Sequence, residues 1–286
     1  MSKMTLPLPL PLKGRGVVSI VLMLFCFSCF AQDEFGFDLG VVTEKKFNKR
    51  LDGELSVNTR FQDVPENSYL ERLAFGAGLG YKIVNTKKFD LKASAGFDYI
   101  RQVKPTEQEY TNKGKLKVNG RVSFNRTRTS LGLGASFKPN KRWTFSLKET
   151  VQYNHYSSYT RQVLKFDKKM KDGEVYYDYD ENLLWVENYE NADDFEEKTI
   201  AAKDRFILRN KLTIKYDIRH SIFSPYASVD YGCGLNNSTN KWKFTAGTEI
   251  EFSKKHNMDV FYRYQTEDDD DEPNGHLIGI SYIMKF

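Results

Sequence analysis

The stretch VQYNHYSSYTRQ, residues 151–162, sets a histidine two positions from a serine, His155 and Ser157, in a run that otherwise reads as a strand. Side chains two apart on a strand share a face, which puts the pair within reach of one another. A histidine base beside a serine hydroxyl is the minimum equipment for acyl transfer. The competing reading is a pair of polar residues at a membrane–water rim. His220, His256 and His276 fall near predicted strand ends without metal-ligand spacing, so they read as interfacial. The chain shows no phosphate-cradling glycine loop, no zinc spacing and no nucleic-acid patch, and no cofactor or metal is expected.

The elements that would position such a pair begin after a leader. Lys3, Lys13 and Arg15 precede the apolar run GVVSIVLMLFCFSCF (16–30), and Cys29 and Ala31 supply small residues at a cleavage site. This is the layout of a secretory signal peptide over residues 1–31, and the run falls short of the roughly 20 residues a spanning helix needs. The leader holds three of the 43 basic residues and none of the 38 acidic ones, so the mature chain, 32–286, is nearly balanced. Its basicity is therefore no argument for nucleic acid. Only Cys233 remains after the leader, which excludes an internal disulfide and a cysteine metal cluster.

Beyond the leader, apolar and polar residues alternate segment after segment, as in strands with two different faces. In YLERLAFGAGLGYKI (69–83) one face is Tyr69, Leu73, Phe75, Ala77, Leu79, Tyr81 and Ile83, interrupted by Glu71. FDLKASAGFDY (89–99) and KWKFTAGTEIEF (241–252) repeat the pattern. Aromatic residues gather near the strand ends, as in the interfacial girdles of membrane barrels. The chain closes on HLIGISYIMKF, which resembles the assembly signal of Gram-negative outer-membrane barrels: alternating apolar residues ending in Phe286. The expected fold is all-β, a transmembrane antiparallel up-and-down β-barrel. The expected location is the outer membrane of a Gram-negative bacterium, after leader removal near Ala31.

Energetics fix the inward face. Arg205, Arg209, Lys211 and Lys215 share one side of KDRFILRNKLTIKYDI (203–218). A cationic side chain facing lipid near the midplane costs about 2–4 kcal/mol, so this side must line the interior. The same phase makes Arg72, Lys92, Arg121, Lys148, Asp230, Glu249 and Arg263 lumen-lining. Basic residues exceed acidic ones along it. A water-filled lumen would favour anions, whereas side chains meeting across it would form a salt-bridged plug.

Twelve strands are expected, with ten or eleven as alternatives. The deciding stretch is 115–138, whose apolar residues occupy even positions first (Leu116, Val118, Val122, Phe124) and odd ones later (Leu131, Leu133, Phe137). A two-residue turn at Arg126-Thr127 accounts for the change and gives an even count that returns both termini to the periplasm. A bulge would also shift the phase. Against twelve stands KPTEQEYTNKG (104–114), a long connection for the periplasmic side. The segment 163–202 reads as a long extracellular loop that could hold a surface ligand, and TEDDDDEP (266–273) as a hydrated acidic tip. Outer-membrane lipids, lipopolysaccharide and the barrel-assembly machinery, through the last strand, are the expected partners.

Two resemblances bear on function. YNHYS (153–157) is similar to the motif of outer-membrane phospholipase A, which implies a barrel cutting lipids with an outward serine, histidine and asparagine and calcium. Ser158 and Tyr159 stand where that family has Asn-Gly, and Lys168, Lys169 and Met170 occupy the region of its asparagine. The hairpin YLERLAFGAGLGYK…KFDLKASAGFDY and RWTFSLKETVQY resemble small outer-membrane barrels known only as a domain of unknown function, which implies fold and location and no activity. Three functions follow as expectations: a narrow, weakly anion-favouring pore, a structural or surface-binding barrel, and, as an alternative, a lipid hydrolase using His155 and Ser157.

Overall fold

A computed structural model describes residues 34–62, 68–110, 115–169, 194–236, 240–267 and 275–286. The strands are β1 (Glu34–Lys46), β2 (Leu51–Gln62), β3 (Tyr69–Asn85), β4 (Phe89–Lys104), β5 (Glu107–Tyr110), β6 (Lys115–Asn119), β7 (Val122–Phe137), β8 (Trp143–Tyr156), β9 (Tyr159–Lys169), β10 (Asp194–Ile200), β11 (Lys203–Tyr216), β12 (Phe223–Gly234), β13 (Asn240–Glu251), β14 (His256–Glu267) and β15 (Gly275–Lys285). Among the described residues there is no helix. Eleven strands close into a barrel in the order β1-β15-β14-β13-β12-β11-β8-β7-β4-β3-β2. The other four form a second sheet, ordered β10-β9-β6-β5.

The count is eleven where the sequence suggests twelve. Arg126 and Thr127 are not a turn: they lie inside β7, opposite Tyr156 and His155 on one side and Ile100 and Tyr99 on the other. The even positions of β7 face inward along its whole length. What changes is the polarity of the interior, which is apolar at Phe124 and charged or small further along. The odd count makes β1 and β15 run in the same direction, and they pair in parallel from Glu34↔Gly275 to Glu44↔Lys285. The barrel is therefore mixed rather than wholly antiparallel, and β1 starts at the opposite end from Phe286. It also moves the long 104–121 connection to the same end as the other long ones.

The two ends of the barrel differ. Five short connections, 47–50, 86–88, 138–142, 217–222 and 252–255, lie at what we call the turn end. Side-chain oxygens tie down their backbones. Asn48 Oδ1 accepts from the amides of Arg50 and Leu51, both at 2.8 Å, and Asn140 Oδ1 accepts from Arg142 and Trp143 at 2.8 and 3.0 Å. At the loop end β4, β7, β8 and β11 continue, after two-residue breaks, into β5, β6, β9 and β10. The second sheet thus prolongs one side of the wall. Arg161 clasps the line of breaks: Nε donates to the Gly120 carbonyl at 2.6 Å, and Nη2 to those of Pro105 and Asn119 at 2.8 and 3.2 Å. Residues 170–193, with the aromatic–acidic runs of the long loop, lie outside the described residues, as does most of the 266–273 run.

The outer wall is apolar and exposed. Leu55 is 63% exposed and Leu131 64%, more than a core-forming leucine would ever be, and Phe75, Phe97, Leu147, Leu212 and Phe244 are exposed with them. A band of this kind implies a surrounding hydrocarbon phase. Aromatic pairs bound it on both sides, Trp143 with Tyr216 (4.7 Å between ring centroids) at the turn end, Tyr231 with Trp242 (4.5 Å) and Tyr153 with Phe206 (5.0 Å) at the loop end. Inside, packing is local. Gly247 and Gly279 are the register neighbours of Phe261, and a Cβ on Gly279 would come within 2.1 Å of its ring. Only glycine lets that ring lie flat against the neighbouring strand.

Candidate functional site

Inward side chains divide the lumen into two zones. The loop-end zone is dry. Asp38, 2% exposed, sits among three arginines. Arg60 Nε and Nη2 donate to its two carboxylate oxygens at 2.7 and 2.9 Å, Arg263 Nη1 lies 3.4 Å away, and Arg72 Nη2 3.9 Å. Glu71 lies 3.7 Å from Arg60 Nε. It reaches inward because the β2–β3 register shifts between Arg60 and Phe61, so an acid that interrupts the apolar face in the sequence turns into the lumen. Arg60 and Asn154 are 0% exposed, Ile100 and Leu277 1%.

Aromatic and amide groups complete this seal. Asn154 Oδ1 accepts from Arg126 Nε at 3.2 Å and Arg128 Nε at 3.1 Å. The Tyr156 ring has the cations of Arg126, Lys203 and Arg205 at 5.1, 5.0 and 5.5 Å from its centroid, each an electrostatic attraction of the cation–π kind. Phe124 stacks on Tyr159 at the root of β9, 4.7 Å between centroids.

Toward the turn end the lumen is wet. Lys148 and Lys211 are register neighbours on β8 and β11, both exposed to water inside the barrel. Neither has an ion pair or a side-chain hydrogen bond among the described residues. Like charges directly opposite on adjacent strands repel, so this pair presents two positive charges to the lumen that no ion pair ties down, with Asp230 across from Lys211 on β12. Its neighbours are paired: Lys92 with Asp52 at 2.6 Å, Lys215 with Glu249 at 2.5 Å, and Arg209 with both carboxylate oxygens of Asp230 through Nε and Nη2. Tyr226 donates to Asp259 at 3.0 Å. Glu54 lies in the field of Lys148 and Lys92 across this zone.

The residues expected in the lumen therefore fall into three groups. Arg72, Arg205 and Arg263 belong to the dry zone, and Lys92, Lys148, Arg209, Lys211, Lys215, Asp230 and Glu249 to the barrel interior around and below it. Arg121 is elsewhere. It is exposed in the two-residue link between β6 and β7, because 115–121 leaves the barrel for the second sheet. Sequence reasoning missed Asp38, Asn154 and Tyr156. The even positions of β1 and β8 carried the signal for all three.

His155 lies on the outer rim and finds an orienting carboxylate. Its Nδ1 is 2.7 Å from Asp204 Oδ1, directly opposite on β11, and Tyr153 donates to the same oxygen at 2.9 Å. Ser157 does not join them. It stands in the break after β8, where its hydroxyl accepts from the Asn125 amide at 3.1 Å and its own amide donates to the Asn125 carbonyl at 2.9 Å. No hydrogen bond links Ser157 to His155 among the described residues. A histidine–aspartate pair without an attached nucleophile holds a rim together; acyl transfer needs the third group. Among the described residues no cluster of His, Cys, Asp and Glu could hold a metal ion.

Residues 36–276 match the family described as Protein of unknown function (DUF2490). The chain belongs to that family. No curated protein sequence matches it. Among solved structures, the β-domain of the Bordetella autotransporter BrkA is 15% identical, with 81% of this chain and 78% of that one covered and a TM-score of 0.40. A Pseudomonas aeruginosa FadL homologue is 12% identical over 78% of this chain and 58% of its own, TM-score 0.34. An anion-selective porin from Comamonas acidovorans is 7% identical over 84% and 83%, TM-score 0.28.

Proposed function

We propose that the protein is an outer-membrane barrel forming a narrow, anion-favouring pathway that rests closed. The loop end faces outward, because long connections in such barrels are extracellular. The observation that carries the reading is the contrast inside the lumen: a lysine pair, Lys148 and Lys211, exposed to lumen water, beneath a dry plug centred on Asp38. Positive charge held between low-dielectric walls concentrates anions, and the plug determines when they pass. Recording from purified protein in planar bilayers tests this. Brief, small steps with a reversal potential displaced toward the anion are expected, and Lys148→Glu with Lys211→Glu should move it toward the cation. A membrane that stays silent at every voltage, with folded barrel present, overturns the proposal.

A second reading draws on the loop-end sheet. Its outer strands, β5 and β10, each have one unpaired edge within the described residues, and the sheet is held in place by Arg161. Such an edge can add a strand from a partner. Under this reading, deleting 168–198 abolishes surface capture of a ligand and leaves the heat-modifiable folding of the barrel intact.

A further inference from the structure

The outward band carries one irregularity. Glu149, on β8, points out among leucines and valines, and Asn210, on β11, is its register neighbour. Glu149 is exposed. Along β8 it lies six residues from the turn-end Trp143 and four from the loop-end Tyr153. At about 3.3 Å per residue on a tilted strand, that is roughly 15 Å above the turn-end girdle, near the middle of a band about 25 Å tall. Leu147 and Val151 flank it on its own strand, Leu133 faces it from β7, and Leu208 and Leu212 flank Asn210. Among the described residues Glu149 is the only charged side chain in the middle of this band.

Neither Glu149 nor Asn210 has a side-chain hydrogen bond among the described residues. An ionisable group at this depth normally marks a contact, because hydrocarbon offers it no partner. We propose that the β8–β11 face is the interface with a second copy of this chain, in which Glu149 of each subunit bonds the partner's Asn210.

Four features select a second copy over another occupant. A two-fold axis along the membrane normal preserves depth, so groups side by side at one height in one subunit meet the same groups in the other. The set is self-complementary: the carboxyl needs a donor, and the amide supplies two and accepts as well. No lysine or arginine on the central band competes for the carboxyl. Beside Leu133 the outward positions Ala93, Ala95 and Ala135 are small, which leaves a shallow surface that lets backbones approach.

The test uses the full protein, labelled with fluorophore and reconstituted in phosphatidylcholine vesicles over a range of protein-to-lipid ratios, with subunits counted by photobleaching. Wild type is expected to give two-step bleaching. Glu149→Leu and Asn210→Leu should each raise the dissociation constant about tenfold, from the loss of two intramembrane hydrogen bonds, and Glu149→Gln should stay within a few-fold of wild type. Heat-modifiable gel mobility reports folding in every variant. In a detergent that keeps the chain monomeric, Glu149→Leu should be at least as resistant to unfolding as wild type, which separates an interface role from a stabilising one. Single-step bleaching of wild type at the highest density overturns the proposal, and so does dimerisation of Glu149→Leu at wild-type strength or stoichiometric co-purification of a different protein on this face.

Discussion

Asp38→Asn probes the plug most directly. The substitution keeps the shape of the side chain and removes the charge on which Arg60, Arg72 and Arg263 converge. Arg60, with no exposure at all, cannot turn to water when its partner is neutralised. Breaking one side of a buried ion pair costs about 3–5 kcal/mol, and Glu71, 3.7 Å from Arg60 Nε, puts the expected loss at the lower end of that range. That is a large part of a net stability of roughly 5–15 kcal/mol. The assay is urea unfolding in lipid vesicles, followed by tryptophan fluorescence, with the slope unchanged so that the midpoint shift measures stability. Combining Asp38→Asn with Arg60→Met should cost less than the sum of the two single changes by about 2 kcal/mol, because the pair is lost only once. The same variant should conduct more often in planar bilayers. A loss under about 1 kcal/mol, the range of exposed ion pairs, with additive double-variant behaviour, would refute a dry and mutually compensated plug.

Leu131→Arg, on the outward band, should destabilise the reconstituted barrel by about 2–4 kcal/mol; a change within about 0.5 kcal/mol in the same unfolding assay would mean that water bathes that face. Gly279→Ala forces the Phe261 ring away from β15 and should cost about 1–3 kcal/mol as overpacking, read by the same method. Arg161→Ala removes the clasp on Gly120, Asn119 and Pro105, so amide exchange in 105–121 and 159–169 should accelerate roughly 100-fold while the barrel strands keep their protection. Ser157→Ala should leave fatty-acid release from phospholipid vesicles unchanged, since the hydroxyl is bonded to the Asn125 amide and not to His155.

Much of this architecture is legible in the alternation of the chain. Leu55, Phe97 and Leu131 stand outward where a period of two puts them, and Arg209, Lys211 and Lys215 stand inward because lipid would penalise them. The short connections are legible too, from Asn48, Asn140 and Ser253 at positions where their side chains cap a tight turn. The strand count is not. A phase change in apolar residues means a turn only if the interior is uniformly polar, and here Ile100, Phe124 and Tyr156 make it greasy at one end. Glu71 looks like an error on an apolar face because a register shift depends on the neighbouring strand, which local spacing does not encode. The candidate site is hidden for a similar reason. Asp38 meets Arg60, Arg72 and Arg263 only when β1, β2, β3 and β14 have closed around one point, and Asp204 reaches His155 across a 49-residue separation. Glu149, like Glu71, breaks the apolar alternation of its own strand and needs no neighbour to be seen.

The parallel junction of β1 with β15 bears on how the molecule comes together. Every other pair of neighbours in the barrel wall is antiparallel and follows in chain order, with the second-sheet strands intervening only between β4 and β7 and between β8 and β11. The junction unites the two extremities of the described chain, and bringing such remote segments together is the slow step in strand assembly. Its ladder is also slightly weaker per residue than the others. The ring should therefore form as a curled eleven-stranded ribbon whose rims meet last, and until then both rims offer unsatisfied amides and carbonyls to any other strand at hand. How quickly they find each other sets the interval in which the nascent wall can be captured, mispaired or held open.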